Sequence, residues 1–157
     1  MTAAAIIGGS GLTALKNLKI TRREVMRTPY GEPSAPLVYG DLAGQEVVFL
    51  PRHGPGHTIP PHGVNYRANI WALKQTGVAR VIAVNAVGGI TSGYLSSERL
   101  VIPDQIIDYT YDRKHTFFGN DLQQVTHVDF TEPYCVELRK LLIEAAKLAK
   151  LPHVDHG

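Results

Sequence analysis

The sequence predicts an α/β protein with a mixed central β-sheet flanked by helices, and three features support this prediction. Short apolar runs that end in glycine are typical of buried strands. A helical pattern over residues 65–76 leads directly into a β-rich run at 80–87, which is half of a β-α-β unit. A second helical pattern runs from Glu132 to about Lys150. Strands mixed with helices in this way favour the α/β class.

The composition is that of a folded protein of ordinary charge. The 157 residues are 44% hydrophobic and 19% charged, and a chain of this length predicts one domain. The formal charge of +2 gives no reason to expect a nucleic-acid or membrane partner. No apolar run approaches the roughly 20 residues of a membrane span. Without a basic leader at the N-terminus, we expect a cytoplasmic protein.

The first predicted element is a buried strand over Ala3–Ile7, ended by the glycine turn Gly8–Gly11. Residues 20–35 are polar and contain a turn signal at Thr28–Gly31, so no strand or helix is predicted there.

A hairpin is predicted next. Its strands are Leu37–Tyr39 and Gln45–Leu50, and the loop between them, at 40–44, is longer than the tightest kind. Residues 51–63 hold so many glycines and prolines that we predict a loop without regular structure.

A helix is predicted over Asn65–Thr76, with Asn65 as its N-cap and Gly77 after its last turn. Arg80–Val87 is strongly β in character and ends in a pair of glycines.

The last third of the sequence predicts one strand and one helix. Residues 100–108 are a strand candidate that Pro103 interrupts, and 110–131 are irregular. The helix that opens at Glu132 is ended by Pro152. No further element is predicted before Gly157. The single cysteine, Cys135, excludes an internal disulfide and a multi-cysteine metal site.

Three polar stretches lie at or directly after the ends of predicted strands. They are Gly8–Gly11, Arg52-His53-Gly54 and Asn85–Gly89. In open α/β sheets, ligands bind outside the carboxyl ends of the strands. These three stretches are therefore the candidate functional residues.

The stretch Gly8–Gly11 combines backbone N–H groups with the hydroxyl of Ser10, which suits an anion. Residues 9–14 also fit the G-x-G-x-x-A dinucleotide pattern. That pattern requires a helix and a later acidic residue, and the sequence shows no convincing helix after it. A plain strand–loop turn is the simplest alternative.

Arg52 and His53 are candidate anion ligands, because an arginine fork binds phosphate through two bonds and a histidine can add another. The alternative is a solvated arginine beside a turn histidine. A metal site built from His53, His57 and His62 is not predicted, because Gly54-Pro55-Gly56 prevents the helix on which the first two would face one ion.

Asn85 is a polar residue in an apolar run, so we interpret it as buried within a strand, where it needs hydrogen-bond partners. Gly88 and Gly89 would let a ligand approach the backbone. The alternative is that Asn85 only satisfies a neighbouring loop.

Taken together, the motifs resemble the trimeric class of purine nucleoside phosphorylases, and within it the methylthioadenosine/methylthioinosine branch. The bacterial S-methyl-5′-thioinosine phosphorylases are the most similar, since the thioadenosine enzymes usually have threonine where Asn85 stands. The matching stretches are Ile6-Ile7-Gly8-Gly9-Ser10-Gly11-Leu12, Thr28-Pro29-Tyr30-Gly31, Arg52-His53-Gly54 with His57, Val64–Lys74, Asn85-Ala86-Val87-Gly88-Gly89 and Thr126-His127-Val128-Asp129-Phe130.

The resemblance implies a phosphorylase-like three-layer fold and a role for each motif. Ser10, Arg52, His53, Asn85 and Ala86 would bind the phosphate co-substrate. His127 would reach the 5′ end of the ribose in a neighbouring subunit's site, within a homotrimer or a trimer-based oligomer. A purine nucleoside and phosphate would be the substrates, with no metal or organic cofactor.

The resemblance also implies a pentosyltransferase that splits S-methyl-5′-thioinosine and phosphate into hypoxanthine and 5-methylthioribose 1-phosphate, in purine salvage. S-methyl-5′-thioadenosine phosphorylase and a general purine nucleoside phosphorylase are the alternatives. Because the family's chains are longer, we expect residues 1–157 to be the N-terminal portion of one domain. The catalytic group that assists base departure is then expected beyond Gly157.

Two other classes of function remain open at this point. One is a truncated remnant that binds phosphate or assembles without activity. The other is a dinucleotide-binding oxidoreductase domain, which rests only on residues 9–14.

Overall fold

The computed structural model describes residues 4–10, 12, 14–91, 99–119 and 123–157. The chain divides into two compact units. The first comprises the described residues of 1–86 and 112–119, and the second those of 87–111 and 120–157. Within the described ranges, no helix has the length and apolar character that crossing a membrane needs. Ala3 and Gly11, which belong to predicted elements, lie outside these ranges.

The first unit is built on a five-stranded mixed sheet with the order β2-β3-β4-β1-β5. The strands are β1 (Ala4–Gly8), β2 (Lys19–Glu24), β3 (Leu37–Leu42), β4 (Gln45–Pro51) and β5 (Val81–Ala83). Strand β1 is parallel to both β4 and β5, whereas β3 is antiparallel to β2 and β4. The prediction of an α/β protein with a mixed central sheet is therefore confirmed.

The hairpin turn is tighter than predicted. Strands β3 and β4 pair as far as Leu42 and Gln45, which leaves only Ala43 and Gly44 between them. Both of these residues have positive φ, 53° and 82°. This is the backbone that lets a two-residue turn follow the twist of its strands. The prediction of a longer loop was therefore wrong. The sequence did not indicate the two-residue turn, because alanine is not a residue that signals positive φ.

Strand β2 was not predicted. It runs antiparallel to β3 at the edge of the sheet, and nearly all of its side chains are exposed. Arg22 lies over the ring of Tyr39 and pairs with Glu24 at 2.7 Å. A polar edge strand lacks the apolar alternation on which strand prediction depends.

Helix α1 (Tyr66–Gln75) covers the sheet and was predicted within one residue at each end. The side chain of Asn65 accepts a hydrogen bond from the backbone N–H of Ala68, as an N-cap does. Ala72 and Leu73 of α1 pack with residues of β1, β3 and β4 in the apolar core, which also contains Leu37, Val48 and Leu50.

Two other predictions for this unit need correction. The predicted strand 80–87 is regular only over Val81–Ala83, where it pairs with Ala5–Ile7 of β1. The predicted loop 51–63 contains one short 3-10 helix, Pro61–Gly63. The bounds of β5 are set by its pairing with β1. The short helix has no buried residue and begins at a proline, whose fixed φ suits a first helical turn.

The second unit contains helix α2 (Val136–Leu148) and a parallel pair of short strands, β6 (Leu100–Val101) and β7 (His153–Val154). Helix α2 was predicted, although it begins later than Glu132. Strand β6 stops before Pro103, as expected from the missing N–H of proline. The prediction of no element after the helix was wrong, because β7 pairs with β6.

Arg139 of α2 connects these elements. Its Nε donates to the carbonyl oxygen of Pro103 at 2.7 Å, and its Nη2 donates to that of Asp155 at 2.6 Å. A single arginine therefore holds the segments that follow β6 and β7.

Candidate active site

The carboxyl ends of β4, β1 and β5 lie side by side at one edge of the sheet. Ile7 of β1 is in register with Leu50 of β4 and with Ala83 of β5. Because the three strands are parallel, the residues that follow them emerge at the same edge. The prediction that the three polar stretches lie at the carboxyl ends of strands is therefore confirmed for the described residues, and the structure adds that the three strands are neighbours.

A cavity of about 430 Å³ opens at this edge, within the first unit. It is lined by three residues that the sequence singled out, Arg52, His53 and Asn85. The other lining residues are Ile7, Pro61, Tyr66, Asn69, Ile70, Ala83 and Arg113.

Arg52 is held by all three strand ends. Its backbone N–H donates to the carbonyl oxygen of Gly8 at 3.0 Å. Its Nη1 donates to the carbonyl oxygen of Val84 at 3.0 Å. The guanidinium lies so close to Gly9 that a Cβ on Gly9 would overlap it. The sheet therefore fixes the direction of this cation.

Burial lowers the pKa of Arg52 from its usual value, and the nearby Tyr66 partly opposes this shift. Arginine remains charged in proteins. A half-buried cation loses water contacts, so an anion beside it interacts more strongly than it would in bulk solvent. Arg52 is thus prepared to bind an anion.

His53 is 5% exposed, and its tautomer is set by a backbone contact. The ring Nδ1 lies 2.8 Å from the carbonyl oxygen of Ile59. A carbonyl oxygen can only accept, so Nδ1 carries the proton and donates. In the neutral ring, Nε2 is then the acceptor. The ring of His57 lies against His53, with 4.9 Å between the ring centroids.

The other predicted site residues are exposed. Ser10 lies in the turn after β1, and Asn85 and Ala86 follow the end of β5. The interpretation of Asn85 as a buried strand residue was wrong, because β5 ends at Ala83. Asn85 still lines the cavity, whereas Ser10 and Ala86 are not among its lining residues. His127 is exposed in the second unit.

Sequence analysis gave no role to three polar residues of the cavity. Asn69 is 3% exposed and exchanges hydrogen bonds with Ser34. The hydroxyl of Tyr66 donates to the carbonyl oxygen of Pro61 and accepts from Arg113 at 3.2 Å. Arg113 comes from an irregular segment, 112–119, that belongs to the first unit. No local pattern signals such a tertiary contact.

The described residues contain no group of three or more His, Cys, Asp or Glu side chains placed to hold a metal ion. The dinucleotide-binding alternative loses support from the geometry that follows β1. The described residues between β1 and β2 form turns and no helix. The dinucleotide motif at 9–14 therefore lacks the helix that its mechanism requires; Gly11 and Thr13 of that motif lie outside the described residues.

Comparison with known proteins identifies phosphorylases that are similar in sequence to this chain. It is 51% identical over 157 residues to a probable S-methyl-5′-thioinosine phosphorylase of Pseudomonas syringae pv. tomato, covering 100% of this chain and 63% of that protein. It is 48% identical over 157 residues to the S-methyl-5′-thioadenosine phosphorylase of Pyrococcus furiosus, covering 100% of this chain and 59% of that protein.

A solved phosphorylase structure is similar in fold to this chain. A double mutant of adenosine/methylthioadenosine phosphorylase from Schistosoma mansoni, in complex with adenine, superposes with a TM-score of 0.93 at 34% identity. The superposition covers 100% of this chain and 62% of that chain. The chain thus spans about three fifths of the length of these relatives.

The family model of the phosphorylase superfamily matches residues 3–157, which is nearly the whole chain. This match agrees with the sequence relatives and with the solved structure. The chain belongs to the phosphorylase superfamily.

Proposed function

We propose that the edge formed by β4, β1 and β5 binds inorganic phosphate for the phosphorolysis of a purine nucleoside. The observation that carries this proposal is the fixed position of Arg52, which contacts Gly8, Gly9 and Val84 at the ends of two neighbouring strands. His53 lines the same cavity. A preset cation and a preset histidine suit a small oxyanion that must be held in one orientation.

The reaction transfers the ribosyl group from purine to phosphate. The C1′–N9 bond breaks towards an oxocarbenium-like state, and its electron pair leaves with the purine, which takes up a proton. A phosphate oxygen forms the new bond to C1′. Arg52 and His53 orient that oxygen, and the held dianion stabilises the positive charge that develops on the sugar.

The tautomer of His53 defines how phosphate would bind. With Nδ1 donating to Ile59, the neutral ring offers an acceptor at Nε2. The phosphate dianion HPO₄²⁻ carries one hydroxyl that can donate to this nitrogen. Its remaining oxygens face Arg52. The site then favours an oxyanion that carries a proton over one that carries none.

S-methyl-5′-thioinosine is the proposed nucleoside, with hypoxanthine and 5-methylthioribose 1-phosphate as products. One relative, at 51% identity, is named as a probable S-methyl-5′-thioinosine phosphorylase. The thioadenosine relative is 48% identical, which leaves S-methyl-5′-thioadenosine as the second candidate substrate. A general purine nucleoside phosphorylase is the third candidate.

We further propose that residues 1–157 form the N-terminal portion of one phosphorylase domain and that the protein assembles as a homotrimer in the cytoplasm. The exposure of His127 supports a role in a neighbouring subunit's site. Phosphate serves as co-substrate, and no metal or organic cofactor takes part.

The direct test is phosphate-dependent release of free base by the 157-residue chain. S-methyl-5′-thioinosine and S-methyl-5′-thioadenosine are supplied separately, with and without phosphate, and bases and sugar phosphate are quantified by chromatography. We expect hypoxanthine and 5-methylthioribose 1-phosphate in equal amounts, and only with phosphate. Release without phosphate would contradict phosphorolysis. Absence of release by a folded chain would contradict activity of this chain alone and favour a non-catalytic phosphate-binding remnant.

A further inference from the structure

In a second cavity of the first unit, four of the eight lining residues are basic. The cavity measures about 330 Å³ and lies where helix α1 begins. Arg67, Arg113, Lys114 and His62 line it, together with the ring of Tyr30. Arg113 also lines the candidate active site, and no other residue is shared by the two cavities.

Arg67 is the residue that most needs a partner. Its Nε is enclosed and makes no hydrogen bond to any described residue. Its guanidinium lies 5.0 Å from the centroid of the Tyr30 ring. A buried guanidinium N–H without an acceptor is costly, and stacking on an aromatic ring replaces only part of what water would provide. The Nη atoms are not among the buried atoms without a partner, so they are the donors of Arg67 that a ligand in the cavity can reach.

The balance of charge in this cavity is positive. Arg67, Arg113 and Lys114 contribute three cations, and Asp112 is the one carboxylate among the described lining residues. No described carboxylate lies within 4.0 Å of any of these cations. Arg113 is held by Tyr66, to whose hydroxyl it donates at 3.2 Å.

From these contacts we infer that the cavity at the start of α1 is a second oxyanion site, separate from the one at Arg52. Its ligand is a phosphate group, either free or carried on a small ester. The Nη edge of Arg67 binds two of its oxygens, and Lys114 and Arg113 neutralise the remaining charge. The inference does not depend on the proposed phosphorolysis.

The test observes the arginine side chains directly. The Arg52→Gln variant of the 157-residue chain removes the first site and is titrated with inorganic phosphate and, separately, with ribose 5-phosphate. The Nε–H resonances are followed by ¹⁵N NMR at constant ionic strength, and Arg67→Gln in the same background assigns the Arg67 signal. We expect a saturable shift of that signal.

Control variants distinguish binding in this cavity from nonspecific attraction between the anion and the basic side chains of the protein. Lys114→Gln should weaken the binding at least about tenfold, since it removes a charge-assisted contact. Lys74→Gln removes the same charge from an exposed position on α1 and should leave the affinity unchanged. Tighter binding of the ester than of phosphate identifies an ester site, and equal binding identifies a site for the phosphate group alone. A shift that fails to saturate, or that responds equally to both lysine variants, overturns the inference.

Discussion

The position of Arg52 depends on a neighbour without a side chain and on a neighbour with a free backbone acceptor. Gly9 has no side chain where the guanidinium lies, and Val84 presents a backbone carbonyl to Nη1. Sequence analysis identified the arginine and the glycines separately. It could not show that they touch, because this contact depends on β1 lying between β4 and β5.

Replacing Gly9 with alanine should weaken phosphate binding without unfolding the protein. The new Cβ meets the movable end of Arg52, and φ at Gly9 lies outside the left-handed region. Displacing the guanidinium should lower the affinity for phosphate about tenfold or more. Calorimetry measures the affinity. Gly119→Ala is the matched control, because a Cβ there meets nothing within 4 Å.

Replacing His53 with glutamine should reduce the preference for phosphate over sulfate. Sulfate carries no proton at neutral pH, so it cannot donate to the acceptor nitrogen that His53 presents when its Nδ1 bonds to Ile59. A glutamine amide can donate to either anion. The ratio of the two affinities should fall about tenfold. His153→Gln is the control. If the ratio of the phosphate affinity to the sulfate affinity is the same in both variants, the assigned tautomer of His53 is contradicted.

At the scale of the element, helix α1 was the most predictable part of the fold, because both of its ends carry local signals. Asn65 caps the N-terminus, and Gly77 follows the last turn with φ of 77°. Strand β5 was predicted too long, since its bounds depend on how many residues β1 can pair. Strand β2 was missed, since its polar residues gain their partners only from β3.

Replacing Asn65 with alanine should destabilise the first unit. The side chain accepts from Ala68 at 3.1 Å and donates to the carbonyl oxygen of Tyr30 at 2.8 Å. Loss of the cap costs about 1–2 kcal/mol. The free energy of unfolding in urea provides the measurement, with the exposed Asn17→Ala as control. Equal stability of the two variants would contradict the role of Asn65.

At the scale of the whole molecule, the sequence indicated that three polar stretches lie at strand ends, but neither that these strands are neighbours nor what else lines the cavity. Arg52 and His53 were identified because they follow a predicted strand, and Asn85 because it is a polar residue near the end of one; all three line the cavity. Tyr66 and Arg113 were not, because the return of segment 112–119 to the first unit is a tertiary event. Burial of Asn85 was predicted wrongly because an apolar neighbourhood in sequence does not ensure a partner strand in space.

We predict that the chain associates in solution. Large apolar side chains are exposed in both units, including Val84, Val87, Ile90 and Leu148. Burying some of these side chains between copies of the chain would favour association, because removing apolar surface from water lowers the free energy. Sedimentation equilibrium should give three times the 17.2 kDa mass of the chain. A mass of one chain at every concentration would exclude the proposed homotrimer.

The central claim is that the edge formed by β4, β1 and β5 binds phosphate through Arg52. The most direct measurement is calorimetric titration of inorganic phosphate into the 157-residue chain, its Arg52→Gln variant and Arg80→Gln at constant ionic strength. Arg80 is exposed and precedes β5 at the opposite end of that strand, so its loss controls for charge. We predict that one phosphate-binding event disappears in Arg52→Gln and is retained in Arg80→Gln. Identical isotherms for all three proteins would contradict the account.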